Sequence, residues 1–272
     1  MKKNFNIEEF FIKYPYINEK ITENNIDVNN LKEIYDDYME CKLSYESQAD
    51  FIANILRSQS MVHSVKSRIK DPDRLIEKII RKTENRKEKY CSDFQFTIDN
   101  YKNEINDLIG IRVIHIFKDQ WQDIHEFIMN TWNVMEVTAN VREGDNTEIF
   151  RELNIEVCSR ISGYRSVHYL VEFYPTNKKV IAEIQVRTIF EEGYGEIDHR
   201  LRYSHDKIPE ILQSNLLLFN RIVGSADEMA SLINNLGKEW GNKEIYYKNL
   251  LEKQRLEIER LNNMVEERER TL

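Results

Sequence analysis

The first hundred residues carry apolar side chains at the three- and four-residue spacing of amphipathic helices. Between Leu31 and Leu56 this spacing predicts one long helix. Pro72 marks the start of another helix. Proline suits the first turn of a helix, because the N–H groups there have no partner within the helix and the one that proline lacks is not needed. The first glycine of the chain is Gly110. We therefore expect this part of the chain to be mostly helical.

The pattern becomes typical of strands in the middle of the chain. Four stretches are rich in β-branched and aromatic residues and have turn residues near them: Ile109–Phe117, Val134–Val141, Tyr164–Tyr174 and Val180–Thr188. Helical spacing returns between the first two stretches, after the last one, and from Pro209 onward. Strands mixed with helices in this way predict an α+β fold in which helices cover a sheet.

The C-terminal tail has a sparser apolar pattern within a strongly charged frame. Leu251, Ile258, Leu261 and Val265 follow a four-three spacing. One interpretation is an amphipathic helix that packs on its own domain, and the other is a helix for self-association.

Composition excludes several classes of protein. Lys and Arg number 39 against 47 Asp and Glu, so the net charge is −8, which disfavours a general nucleic-acid coat. No apolar run approaches the ~18 residues of a membrane span, and the N-terminus lacks the pattern of a secretory signal. Cys41, Cys91 and Cys158 are too far apart in the sequence for a Cys-x-x-Cys metal site, and their odd number argues against a disulfide framework. We expect no membrane partner and a cytoplasmic location.

A basic segment offers the means of binding phosphate groups. The sequence lacks the glycine-rich loops that cradle phosphates in many nucleotide-binding proteins. Arg74, Lys78 and Lys82 recur every four residues and would line one stripe of a helix, with Lys70 just ahead of it. Such a row of cations suits a polyphosphate. The alternative is an ordinary solvated basic face.

Two acidic residues occupy positions on the predicted strands. Asp107 lies just before the first strand, and alternation places Glu183, Gln185 and Arg187 on one face of the last. An acid at a strand entrance and another within a neighbouring strand can share Mg²⁺, which takes its other ligands from water and substrate phosphates. The alternative is a half-exposed strand with a hydrated polar face.

The segment around Gly163 combines an aromatic ring with polar side chains. Alternation places Tyr164, Ser166 and His168 on one face of the third strand. An aromatic ring beside a hydroxyl and an imidazole can stack on a nucleobase and bond to a ribose. Equally, Tyr164 could be a core residue and His168 a satisfied interior histidine.

Taken in order, these segments resemble one known family. They are SRIKDP with a following Lys78, then NDLIGIRVI, SGYRSVHYLVEF and AEIQVRT, and finally a helix with His199 and Tyr203. This order resembles the synthetase domain of the RelA/SpoT family over residues 60–205. The chain would then have a helical N-terminal extension (1–59), the synthetase domain (60–205) and a helical C-terminal extension with a short amphipathic tail (206–272).

The resemblance implies a nucleotidyltransferase-like mixed β-sheet flanked by helices. It also implies a GTP pyrophosphokinase that transfers the β,γ-pyrophosphate of ATP to the ribose 3′-hydroxyl of GDP or GTP, giving ppGpp or pppGpp and AMP. Asp107 and Glu183 would bind Mg²⁺. Glu183, with Gln185 nearby, would also help to deprotonate the acceptor hydroxyl.

On the ATP side, the resemblance assigns basic residues. Arg68 and Arg112 would sandwich the adenine. Lys70 and Lys78 would hold the phosphates. Arg74 stands where the family usually has a serine, and it adds a cation to the ATP site.

On the acceptor side, Tyr164 would stack on the base and His168 would contact phosphates or ribose. Arg160, in a place where the family often has lysine, joins Lys118 and Arg187 as a further acceptor-side residue. Some toxic members of the family transfer the pyrophosphate to the 3′ end of tRNA or to adenosine nucleotides instead, so these acceptors are the alternative. Further expected partners are a second copy of the chain, bound through the helical extensions, and an antitoxin.

Overall fold

The computed structural model describes residues 5–204 and 209–269, without the side chains of residues 202–204, 262 and 264–269. The helices in this part of the chain are α1 (Ile7–Lys13), α2 (Ile17–Glu23), α3 (Val28–Arg57), α4 (Pro72–Lys89), α5 (Tyr101–Glu104), α6 (Gln120–Thr131), α7 (Glu148–Glu152), α8 (Ile189–Ser204) and α9 (Glu210–Glu269). The strands are β1 (Ser64–Ile69), β2 (Ile109–His115), β3 (Asn133–Val141), β4 (Glu156–Ser159), β5 (Ser166–Phe173) and β6 (Val180–Thr188).

The strands form one mixed sheet in the order β1-β2-β6-β5-β3-β4. The pairs β2–β6 and β3–β4 are parallel, and the other three pairs are antiparallel. The mixed sheet with its flanking helices confirms the predicted α+β fold. The long helices predicted around 31–56 and from Pro72 are α3 and α4, and the side chain of Asp71 caps α4 by accepting from the backbone N–H of Arg74 at 3.1 Å.

Two strands were not predicted. The expectation of a mostly helical first hundred residues is wrong for β1, which pairs antiparallel with β2. A six-residue strand between two long helices gives little periodic signal, and its pairing partner lies about forty residues further along the chain. Strand β4 has only four residues, too few for alternation to stand out.

Alternation along the strands gives the sheet one apolar and one polar face. Ile111 of β2 and Ile184 of β6 are fully buried on the apolar face. Helix α3 packs beside β1 and β2, and residues of α1 and α2, such as Phe10 and Ile17, belong to the same hydrophobic core. The polar face is left for charged side chains, and α8 contacts β2 and β6, bringing the buried Glu192 against it.

Helix α9 lies against the rest of the protein through a seam of small and polar residues. Its buried positions among the described residues are Leu216, Asn220, Gly224 and Asp227, which recur every three or four residues. One turn further on, Ser231 accepts a hydrogen bond from the backbone N–H of Lys118 at 3.0 Å. The first half of α9 is therefore held by specific polar contacts rather than by a broad apolar stripe.

The distal half of α9 is exposed. Leu251, Ile258 and Leu261 have exposed fractions of 65%, 59% and 51%. The interpretation of the tail as a helix that packs on its own domain is therefore wrong for these three residues, and the side chain of Val265 lies outside the described residues. In the part of the chain that the structure describes, no helix has both the length and the apolar character needed to cross a membrane.

Asp227 makes the stability of the protein depend on pH. Its carboxylate is fully buried, neither oxygen has a hydrogen-bond partner among the described residues, and Lys118 Nζ lies 4.0 Å away. Burial, together with the nearby charge of Glu191, raises the pKa of Asp227 to about 7. Because the folded pKa exceeds the unfolded one, the stabilisation by the protonated form is present at low pH and is lost as pH rises through 7.

We expect Asp227→Asn to match the wild type in thermal stability at pH 4 and to exceed it at pH 8 by about 4 °C or more, because a kcal/mol shifts Tm by roughly 2–4 °C in a chain of this size. Thermal unfolding followed by circular dichroism from pH 4 to 8 measures the difference. Glu239→Gln, at an exposed position further along α9, is the control. A difference between Asp227→Asn and the wild type that does not change with pH would contradict the assignment.

Candidate active site

Backbone pairing brings the polar side chains of four strands into rows. Arg68 of β1 pairs with Gly110 of β2, which pairs with Glu183 of β6. Gly110 has no side chain, and the Arg68 side chain lies over it, 3.4 Å from where a Cβ would stand. The next row runs from Arg112 through Gln185 to His168.

Asp107 lies between two lysines. Its Oδ2 accepts from Lys70 Nζ at 2.5 Å and lies 2.8 Å from Lys78 Nζ. Burial opposes ionisation, but the two ammonium groups outweigh it and hold the pKa of Asp107 below its ordinary value. The second oxygen, Oδ1, is buried and has no hydrogen-bond partner among the described residues. The carboxylate is thus ionised and keeps one oxygen unused.

Glu183 receives a chain of hydrogen bonds. His168 Nδ1 lies 3.3 Å from Glu183 Oε1, and His168 Nε2 lies 3.0 Å from the Tyr164 hydroxyl. Arg187 donates to that same hydroxyl. Because a guanidinium only donates and a carboxylate only accepts, one direction satisfies every group: Arg187 to Tyr164, Tyr164 to His168, and His168 to Glu183. We assign the histidine tautomer from this network.

A second, shorter chain ends on the same carboxylate. Arg187 Nη2 donates to Gln185 Oε1 at 2.6 Å, and Gln185 Nε2 donates to Glu183 Oε2 at 2.5 Å. Burial and the charge of Asp107 raise the pKa of Glu183, but the bonds from His168 and Gln185 outweigh them and lower it overall. Glu183 is therefore an ionised acceptor at neutral pH.

Both carboxylates line one cavity of about 300 Å³. Lys78, Lys82 and Arg160 lie on the same cavity and face the acids with three positive charges. His168 also lines it, while Lys70 reaches Asp107 and Tyr164 reaches His168. The structure thus brings together most of the residues predicted for the metal, the phosphates and the acceptor.

The residues predicted for the adenine form a neighbouring cluster. Burial, followed by the charge of Arg112, lowers the pKa of Arg68. Burial also lowers the pKa of His199, and Arg74 is the strongest charge acting on it, followed by Glu196 and Arg112. Arg68, Arg74 and Arg112 therefore all lie within electrostatic range of His199 on α8. The side chain of Tyr203 lies outside the described residues.

Glu192 of α8 organises the arginines. Its Oε1 lies 3.2 Å from Arg112 Nη1, and its Oε2 accepts from Arg187 Nη1 at 3.0 Å. Arg112 also pairs with Glu196. The exposed fraction of the Glu192 side chain is 7%, so this acid is a buried counter-ion shared by two arginines.

Two residues predicted for the acceptor lie elsewhere. Lys118 lines a separate cavity of about 450 Å³ and pairs with Glu228 at 3.4 Å. The exposed fraction of the Arg187 side chain is only 4%, and its guanidinium lies 4.8 Å from the centre of the Tyr164 ring. Arg187 therefore orients Tyr164 and Gln185, and it does not line the cavity of the two carboxylates.

Several cavity residues were not predicted. Glu136, Thr138 and Asn140 alternate along β3 onto the polar face, and the strand pattern of Val134–Val141 already contained that signal. Glu156 joins them from β4, a strand too short to be recognised. Glu192 had no signal, because its role depends on how α8 lies over the sheet.

The polar face therefore forms a site of a recognisable class, with paired carboxylates among lysines and arginines suited to phosphate groups. The sequence model of one protein family, described as the region found in RelA / SpoT proteins, matches residues 67–208. This match covers more than half of the chain. The protein belongs to this family.

Individual relatives agree with this membership. The chain is 26% identical over 198 residues to the GTP pyrophosphokinase YwaC of Bacillus subtilis (strain 168), covering 71% of this chain and 81% of the relative. Small alarmone synthetase 1 from Bacillus subtilis has a similar fold, with a TM-score of 0.58 at 21% identity over 75% of this chain and 99% of that one. Small alarmone synthetase 2 from the same organism also has a similar fold, with a TM-score of 0.51 at 20% identity over 75% of this chain and 96% of that one.

We expect Glu192→Gln to lower the free energy of unfolding by about 3 kcal/mol, because it leaves Arg187 buried without its counter-charge. Urea unfolding measures the change. Glu244→Gln, which breaks the exposed pair with Lys248, should cost less than about 0.5 kcal/mol. Equal stability of the two variants would show that Glu192 is not a structural counter-ion.

Proposed function

We propose that the protein is a nucleotide pyrophosphokinase, which transfers the β,γ-pyrophosphate of ATP to the ribose 3′-hydroxyl of GDP or GTP and releases AMP. The observation that carries the proposal is the single cavity in which Asp107 and Glu183 face Lys78, Lys82 and Arg160. The GTP pyrophosphokinase YwaC supports the reaction type. Small alarmone synthetase 1 has been solved bound to its product pppGpp and to AMPCPP.

On the donor side, the chain supplies positive charges for the phosphates and planar side chains that can stack on the adenine. Transfer of this kind requires the two substrates in line and neutralisation of the phosphate charge. Lys70 and Lys78 lie 2.5 and 2.8 Å from Asp107, and Lys78 and Asp107 both line the cavity. Arg68 and Arg112, with planar guanidinium groups beside α8, would hold the adenine between them.

Asp107 and Glu183 are also suited to Mg²⁺. Across the described residues, no three side chains of the His, Cys, Asp or Glu types form a ready-made metal site. Two carboxylates nevertheless match a cation that usually keeps waters and substrate phosphates as its other ligands, and the unpartnered Oδ1 of Asp107 is an available donor. When bound, Mg²⁺ would neutralise phosphate charge.

On the acceptor side, Glu183 would take the proton of the 3′-hydroxyl. It is ionised, and the chains of hydrogen bonds through His168 and Gln185 hold its two oxygens in place. Tyr164 would stack on the acceptor base, with Arg187 behind its ring. Arg160, at the cavity, would hold acceptor phosphates.

The alternative acceptor, the 3′ end of tRNA, would require a basic surface outside the cavity. The cations of α4 that could form such a surface are Lys82, Arg86, Lys87 and Lys89, of which Lys82 lines the cavity itself. Arg86 pairs with Glu104 at 2.5 Å, and Lys87 donates to the backbone carbonyl of Asn24 at 2.7 Å. Two of the four cations are therefore used in the fold, which favours a nucleotide acceptor. The cytoplasmic location, the homo-oligomer and the antitoxin partner stay predictions.

An acceptor assay tests the proposal. ATP labelled on the γ-phosphate is offered with GDP, GTP, unlabelled ATP and bulk tRNA in parallel reactions. We expect label in the products of GDP or GTP, with AMP formed in equal amount. Label in tRNA alone, or in adenosine nucleotides alone, would overturn the proposed acceptor.

Substitution of the two carboxylates tests the site. We expect Asp107→Asn and Glu183→Gln each to reduce transfer at least about 1,000-fold, because each removes a charge that the reaction requires. Circular dichroism and Tm verify the fold. The matched control is Glu172→Gln. Glu172 lies on the same face of β5 as His168 and pairs with Lys179 at 3.7 Å, and its replacement should keep wild-type activity. Full activity in either site variant would refute the assignment.

A further inference from the structure

The segment before β5 is fastened to α9 by a buried amide. Asn220 Nδ2 donates to the backbone carbonyl of Gly163 at 2.8 Å, and the exposed fraction of Asn220 is 2%. Gly163 has a φ of +73°, in the left-handed region. A Cβ at Gly163 would stand 2.8 Å from the Asn220 carboxamide, so the two residues fit closely in shape as well as by hydrogen bond.

The neighbours of Gly163 are fastened in the same region. Arg165 makes a two-point ion pair with Asp145, at 2.6 and 3.0 Å, and its guanidinium lies 2.9 Å from where a Cβ on Gly224 would stand. Gly224 follows Asn220 by one turn of α9. Contacts with α9 therefore flank Tyr164 on both sides, at residues 163 and 165.

Asn220 contributes to folding at a cost. Its Oδ1 is buried and has no hydrogen-bond partner among the described residues. A buried amide with half of its hydrogen-bonding capacity unused is less stabilising than an apolar side chain of similar size would be. Stability alone does not account for asparagine at this position, whereas placement of the Gly163 carbonyl does.

We propose that Asn220 is a positioning residue for the acceptor, which fixes the backbone at Gly163 and thereby the ring of Tyr164. This inference rests on the proposed function. The Tyr164 hydroxyl is also part of the chain of hydrogen bonds that ends on Glu183, so the same contact sets both the stacking plane and the orientation of His168. Displacement of a positioning group by about 1 Å is enough to cost a large factor in rate.

Asn220→Leu keeps the size of the side chain and removes the donor. We expect KM for the acceptor to rise at least about tenfold and KM for ATP to stay within twofold, with a lower Tm because the Gly163 carbonyl loses its donor. A merely structural role would move both KM values alike. The control is Lys238→Ala. Lys238 lies further along α9 and makes an exposed ion pair with Asp119 at 2.9 Å, so its replacement should keep both KM values.

Amide hydrogen exchange of the protein without substrates gives an independent readout. We expect Asn220→Leu, or Asn220→Ala if the leucine variant fails to fold, to speed exchange in residues 162–166 at least tenfold while β2 and β6 are unchanged. Unchanged exchange in that segment, or a wild-type acceptor KM, would overturn the role of Asn220. Absence of transfer to every acceptor by the wild type would instead overturn the proposed function, so the two failures are distinguishable.

Discussion

The contact of Asp107 with Lys70 and Lys78 joins three of the segments from which the site is built. Lys70 follows β1, Lys78 lies in α4, and Asp107 precedes β2, so one carboxylate fixes the end of a strand, a helix and the start of the next strand. A buried carboxylate without these cations would favour its neutral form. The lysines, in turn, would repel each other without it. The polar face can therefore be rich in charge only because opposite charges are interleaved on it.

Much of the fold follows from local patterns, because apolar spacing decides which residues a helix or strand buries. The same rule places Glu183, Gln185 and Arg187 on one face of β6. It does not say that β6 lies parallel to β2, which is what brings Glu183 near Asp107. The family resemblance predicted that the two acids bind the same Mg²⁺, but it did not predict which strands pair. Contacts of long sequence separation, such as those of Glu192 and Asn220, leave no local signal because they depend on how α8 and α9 dock.

Helix α9 has two parts with different surroundings. Its first half makes polar contacts through Asn220, Asp227 and Ser231, which suit precise placement better than strong adhesion. Among the described residues, the buried positions of α9 lie only in this first half. Large apolar side chains are exposed along both halves, among them Ile222, Trp240 and Leu251, with exposed fractions of 60%, 76% and 65%. The sequence pattern indicated the apolar residues of the tail but not this division, because the seam in the first half is mostly polar and hydrophobic spacing cannot reveal it.

The shared counter-ion has a thermodynamic consequence. Glu192 divides its negative charge among Arg112, Arg187 and Lys66, whose Nζ lies 3.3 Å from Oε1. A molecule that draws Arg112 away leaves the charge of Glu192 to Arg187 and Lys66, and Arg187 in turn contacts Tyr164 and Gln185. If Arg112 contacts the donor and Tyr164 the acceptor, as proposed, occupancy of one site alters the affinity of the other, and reciprocity requires the effect to be equal in both directions. The two substrates are expected to bind cooperatively rather than independently.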